Sequence, residues 1–258
     1  MPLSCSKNKP MESPPPLWIS HRGLHQEYPE NSAAAFRAAR AAGFRSFETD
    51  LRATADGSIV LSHDPDPSRL GGPPVRIETA DRATLARLRL PGDHPLLFWE
   101  AWAEEFMDAH WTLDLKRESA PQVIAELAKK ARSEASQAEF LHTRVRFVTW
   151  SAAHERLLRT AFPEAVCYPG RGACYRAGLA CLAGLPALAG LEAGRVYSLP
   201  PAFCGLPLYR KTLFQCYHRR GAKVLAYLPE NDADTRRAIA AGCVEVLTNH
   251  VPLPPDNS

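Results

Sequence analysis

Short apolar or β-branched runs alternate with helical patterns eight times along this chain, and that alternation leaves few folds open. The runs span residues 17–20, 46–51, 111–116, 146–150, 165–168, 195–199, 223–227 and 244–248. Helical patterns fall between them at 32–42, 97–106, 120–139, 152–161, 175–189, 209–220 and 234–241, with a short one at 81–88. Strands separated by helices build a parallel sheet, and eight such units predict a (β/α)8 TIM barrel. Local signals agree. Gly43, Gly221 and Gly242 each close a helix just before a strand, and Asn31 is placed to cap the first long helix. A chain of 258 residues suits one such barrel. The expected layout is a Pro-rich disordered lead-in over 1–16, one barrel domain over 17–253 and a tail over 254–258. Either Met1 or Met11 serves as the start. The loop at 65–74 is too short to add a second domain.

The second run carries chemistry. Glu48 and Asp50 are two residues apart, so on a strand both carboxylates face the same way. Asp56-Gly57 then reads as a tight turn, because Asp-Gly accepts the positive φ of a two-residue hairpin loop. An extra strand at 59–62 would fold back on the second strand, and a turn centred on Asp56 and Gly57 sets Asp50 opposite His63. An imidazole beside paired carboxylates suggests metal-assisted acid/base chemistry. His21 and Arg22 follow the first run, and Asp114 and Lys116 end the third. All of these sit at carboxyl ends of strands, the face on which such barrels build active sites.

Other classes are excluded by composition. Net charge is +3, too small for a nucleic-acid partner. The seven cysteines are odd in number and form no C-x-x-C pair, which predicts reduced thiols in a cytoplasmic protein. The N-terminus has no apolar stretch of the secretory type. The longest apolar tract, 179–191, is too short and too rich in Gly and Pro to span a bilayer.

The segment from His21 to Asp64 holds H-R-G, then P-E-N-S before a helix, E-x-D, D-G and H-D. In this order the elements resemble the glycerophosphodiester phosphodiesterase family. Thr112-Leu113-Asp114-Leu115-Lys116, Phe147-Val148-Thr149-Trp150-Ser151 and Thr248-Asn249-His250-Val251-Pro252 extend the likeness more weakly. The resemblance implies a metal site at Glu48, Asp50 and Asp114 for Mg²⁺ or Ca²⁺, with Mn²⁺ also admitted, and a general acid/base pair at His21 and His63. It implies phosphate binding by Arg22 and Lys116, with an ion pair inside the barrel as the competing reading for Lys116. Glu30 is expected to support the site, the helix-cap role being enough to account for Asn31.

Three positions depart from the family pattern. Asp114 stands where Glu is usual, Asn249 where a T-D-x-P motif has Asp, and Tyr227 where a Trp is common. The last two are expected to bear on barrel closure and on the alcohol moiety. The implied reaction converts a glycerophosphodiester to an alcohol and glycerol 3-phosphate. A lysophospholipase D with the same machinery and a non-catalytic barrel binding phosphoryl ligands are the rival readings. The sequence leaves open the alcohol group, the metal, the oligomeric state, and whether water or the glycerol hydroxyl attacks.

Overall fold

The structure, a computed structural model, describes residues 14–253. Most of the expected lead-in, with Met1, Met11 and Cys5, and the whole expected tail lie outside the described residues. Eight parallel strands curl into a barrel: β1 (Leu17–His21), β2 (Ser46–Ala53), β4 (His110–Leu115), β5 (Val145–Thr149), β6 (Val166–Cys167), β7 (Val196–Leu199), β8 (Lys223–Tyr227) and β9 (Glu245–Thr248). Their lateral order is β6-β5-β4-β2-β1-β9-β8-β7, and the hairpin strand β3 (Ile59–Leu61) pairs antiparallel with β2. β6 and β7 share no backbone pairing, so the cylinder carries a seam there. The eight expected strands are all present.

Most of the expected helices form: α1 (Ala33–Ala41), α2 (Trp99–Phe106), α5 (Ala152–Ala161), α7 (Lys211–His218) and α8 (Asp232–Ala241). Two depart from expectation. The helix read over 120–139 is broken at Glu134, whose ψ of 117° is extended, into α3 (Ala120–Ser133) and α4 (Ala135–Thr143). Beyond the break, Phe140 on α4 packs against Trp99 and Trp102 in a buried aromatic cluster. The helix read over 175–189 begins earlier, as α6 (Arg171–Leu182), and stops where Gly184 takes a φ of +72° ahead of Pro186.

Asn31 does not cap α1. The cap is Ser32, whose hydroxyl accepts the Ala35 N–H at 3.2 Å. α1 then buries Ala35, Phe36 and Ala39, with Phe36 packed edge-on against Trp111 at 5.0 Å. Helices α1 to α5 cover the barrel's outer surface along β2 and β4 to β6 over an aromatic-rich core, and α6 to α8 cover it along β7 to β9; Trp18 packs against both cores. Between β3 and α2 the chain makes an excursion with its own small cluster of Val60, Ile77, Leu85, Leu90, Leu96 and Phe98. No helix among the described residues is long and apolar enough to cross a membrane.

The hairpin register differs from the expected one by a residue. β2 and β3 pair Leu51 with Leu61 and Ala53 with Ile59, and the Ser62 N–H donates to the Asp50 carbonyl at 3.0 Å. Asp50 therefore lies opposite Ser62, not His63. The loop is three residues long: Gly57 N–H donates to Thr54 O, Thr54 N–H to Ser58 O, and only Gly57 has positive φ, +84°. That is a type I turn closed by a left-handed Gly, a longer connection than the two-residue turn.

Candidate active site

Strand register assembles the site. β1 sets His21 beside Glu48, and β2 sets Asp50 beside Asp114 on β4. One ligand oxygen from each of Glu48, Asp50 and Asp114 lies within 4.8 Å of the others, and all three residues are buried. The H-R-G turn is held by sterics. A Cβ at Gly23 would meet the Ala35 backbone at 2.6 Å, so only glycine lets this loop lie against α1. Arg22 itself has a φ of +58°. Its Nε lies 2.9 Å from Asp50 Oδ2, and its Nη1 donates to Glu30 at 3.1 Å.

Two cations and three carboxylates share this pocket. Lys116 Nζ lies 2.7 Å from both Asp50 Oδ1 and Asp114 Oδ2. Burial opposes ionisation of Asp50, but the Lys116 ammonium and Arg22 guanidinium outweigh it and hold the carboxyl well below its usual range. At Glu48 the same Arg22 and Lys116 charges are outweighed. Burial first, and the Asp50 carboxylate second, push its carboxyl well above the usual range, and its Oε2 accepts no hydrogen bond. Burial likewise raises Asp114, partly offset by Lys116. An orphaned buried oxygen among carboxylates that resist ionisation is a place for one more positive charge. Oxygen donors of this kind suit a hard divalent cation, so the residues present fit the group.

The two histidines are held differently. His21 donates Nδ1–H to Asn249 Oδ1 at 2.7 Å, leaving Nε2 3.8 Å from Glu48 Oε2. Burial, then the Arg22 charge, lower its pKa to about 4, so the ring is neutral at physiological pH. His63 follows β3 and is more open. Its Nδ1 lies 2.7 Å from Asp64 Oδ1, and the Asp64 carboxylate is gripped in turn by Arg69 Nε at 2.5 Å. Both imidazoles line one cavity of about 450 Å³ with Glu48, Asp114 and Lys116.

Several residues of this constellation were not read from the sequence as site residues. Asn31 donates from Nδ2 to Asp50 Oδ2 at 2.8 Å and accepts from Thr49 Oγ1, which explains why Ser32 takes over the cap. Glu30, the expected supporting residue, is one step further out, between Arg22 and Arg69. Buried Arg52 donates from Nε and Nη2 to the His63 carbonyl at 3.1 and 2.8 Å. Its position is legible in hindsight, since it lies two residues beyond Asp50 on the same strand face. Trp150 donates its indole N–H to Asp114 Oδ1 at 2.6 Å. Asn249 was expected to bear on closure and the alcohol moiety; its side chain touches His21 and, at 3.1 Å, His25 Nε2. No local spacing could signal contacts across more than 200 residues.

Residues 21–253 match the model of the glycerophosphoryl diester phosphodiesterase family. The Mycobacterium tuberculosis protein named "Probable glycerophosphodiester phosphodiesterase 2" is 26% identical over 217 residues, covering 81% of this chain and 78% of that one. A glycerophosphodiester phosphodiesterase of Caldanaerobacter subterraneus is 38% identical over 68 residues, 26% of this chain and 23% of its own. The fold matches the glycerophosphoryl diester phosphodiesterase domain of another M. tuberculosis protein, with a TM-score of 0.74 at 17% identity over 91% of this chain and 96% of that one. It also matches an Oleispira antarctica phosphodiesterase solved with its product sn-glycerol-3-phosphate, with a TM-score of 0.67 at 18% identity over 92% and 94%. With a barrel that gathers three carboxylates and two imidazoles at one end, and with this match over nearly its whole length, the chain belongs to the glycerophosphoryl diester phosphodiesterase family.

Proposed function

We propose that this protein hydrolyses glycerophosphodiesters to an alcohol and glycerol 3-phosphate, using a divalent cation held by Glu48, Asp50 and Asp114. Mg²⁺ or Ca²⁺ suits these oxygen donors, and Mn²⁺ is admitted by the same set. The observation that carries the reading is the buried carboxylate trio with the unpartnered Glu48 Oε2. When bound, the cation supplies positive charge for a phosphoryl oxygen as negative charge builds on it.

The remaining steps belong to the chain. The Arg22 fork and the Lys116 ammonium are anchored on Asp50 and present donors that orient the phosphate. His21, neutral and fixed by Asn249 through Nδ1, offers Nε2 to take a proton from the attacking hydroxyl. His63, oriented by Asp64, delivers a proton to the departing alkoxide. Arg52 positions His63 through its backbone carbonyl. A pure binding barrel would have no use for two such proton-transfer groups. The product complex of the Oleispira antarctica neighbour supports glycerol 3-phosphate as the retained half.

Turnover of glycerophosphocholine and glycerophosphoethanolamine, assayed with each divalent cation and after chelation, tests the reading. Release of glycerol 3-phosphate that stops on chelation and returns with a cation is expected. Cation and phosphodiester binding without hydrolysis would favour the non-catalytic reading instead.

A further inference from the structure

The cavity that holds the carboxylates does not end at them. It continues past Val148, Tyr168 and Leu225 inside the barrel to the side where β6 and β7 are unpaired, and there it meets α6. Arg171, Cys174, Tyr175, Gly178, Leu179 and Leu182 all line it. These positions fall at i, i+3, i+4, i+7, i+8 and i+11, so one continuous face of α6 forms its wall. Leu199, Phe203 and Leu208 line it as well, with Phe203 edge-on to Tyr175 at 5.6 Å.

The distal end is therefore apolar, while the charged groups that line the cavity gather at the catalytic end, apart from Arg171 at the first turn of α6. A glycerol and a small polar alcohol need no such chamber. Gly178 is the buried point of this wall, and a Cβ there would make only ordinary contacts, with Leu199 and Tyr217 at 3.8 Å, so the position has room for a larger side chain. Tyr175 and Leu179 are 40% and 52% exposed, so the chamber also has an outer rim where a longer chain can emerge.

The geometry points to a subsite for a single alkyl chain attached to the phosphodiester, threaded through the β6–β7 seam against α6. The inference rests on the phosphodiesterase reading for the head of the substrate and adds the class of its tail. An alkyl chain can reach this place from either side of the phosphorus. It is carried by the glycerol, as in a lysophospholipid, or by the departing alcohol, as in a glycerophosphoalkanol.

The test has a binding arm and a turnover arm. Butyl, hexyl, octyl and dodecyl phosphate are titrated calorimetrically, below their micelle concentrations, into the full-length protein. Affinity is expected to rise by about threefold to fourfold per methylene until the chamber is full. Gly178→Leu fills the chamber with a residue that favours the helix, and should flatten that rise. Gly178→Ala, which gains helix preference but little volume, should keep it. In turnover, Gly178→Leu should leave glycerophosphocholine unaffected and slow the long-chain diesters by about tenfold or more. The faster of lysophosphatidylcholine and glycerophosphododecanol identifies the side on which the chain lies.

An affinity series flat with chain length overturns the inference, as does a Gly178→Leu effect equal on short and long substrates. Hydrolysis of glycerophosphocholine with a flat series removes only the tail subsite. A rising series without hydrolysis of any diester keeps the subsite and removes the phosphodiesterase reading. Cys174→Leu, on the same wall, gives a second chamber-filling variant if Gly178→Leu does not fold.

Discussion

The His21 imidazole donates Nδ1–H to the side-chain oxygen of Asn249, 2.7 Å away and 228 residues along the chain. The contact exists because β1 and β9 are neighbours in the closed sheet, with Ser20 beside Thr248. It fixes which nitrogen of His21 faces Glu48, and it does so with a neutral partner. A neutral amide orients the ring without adding the charge that would favour its protonated form.

In the metal-free protein, His21 is expected to titrate at about 4, measured by NMR of its ring protons. Asn249→Asp places a carboxylate on Nδ1 and should raise that value by about one to three units. The unfolded chain takes up this proton near 6.5 and the folded chain only near 4, so wild-type stability falls as pH drops through that window. Asn249→Asp should shrink the loss. A His21 titration unmoved by Asn249→Asp would show that the two side chains do not touch in solution.

Glu48 gives the opposite sign. Its carboxyl keeps its proton to higher pH in the folded, metal-free chain than in the unfolded one, whose value is near 4.5. Metal-free stability therefore declines as pH rises above 4.5. Glu48→Gln should remove that decline, leave the protein at least as stable near neutrality, and abolish cation binding and turnover together. Metal titrations of the wild type in buffers of different ionisation heat should reveal proton release as the cation displaces the Glu48 proton. Full activity after exhaustive chelation would refute the metal site.

Removing either imidazole of the proton path should cost about 10²–10⁴-fold in kcat. His21→Ala and His63→Ala are each expected to fall in that range and to retain cation binding, and the two losses should not multiply. A nitrophenyl phosphodiester, whose leaving group needs little protonation, should rescue His63→Ala and leave His21→Ala slow. Rescue of the opposite variant would exchange the two roles.

The hairpin offers a structural test. Gly57 has a φ of +84°, and a Cβ there would meet nothing within 4 Å, so the difficulty is in the backbone alone. Gly57→Val should destabilise the protein by about 1–3 kcal/mol and displace His63, while Gly57→Asn should be tolerated. Equal thermal midpoints for Gly57→Val and Gly57→Asn would contradict the left-handed turn.

Much of this architecture was legible because its signals are local. Strand-helix alternation, the Gly residues that close helices, and the paired carboxylates of β2 are all readable within a few positions. What escaped depends on partners far away in sequence. Beyond the break at Glu134, Phe140 on α4 meets aromatic rings on α2 that lie about 40 positions earlier. Asn31 looks like a cap until Asp50 is placed beside it, and Ser32 then does the capping. The one-residue error in the hairpin arose from reading Asp-Gly as a two-residue turn, when Thr54 and Ser58 already pair across a three-residue one. The seam and its chamber left no mark at all, since the spacing that lines them on α6 is that of any core-facing helix.

The barrel is unevenly fastened. β2, buried at every residue, is hydrogen-bonded to β1, β4 and β3, whereas β6 and β7 have no bonds to each other. Amides along β2 should then exchange with solvent only when the whole molecule unfolds, and those flanking the seam through smaller openings. Changes on the seam side can reshape what the enzyme accepts without disturbing the strand that carries Glu48 and Asp50. Selection can thus vary the substrate along one edge of the cylinder while the chemistry stays bolted to the other.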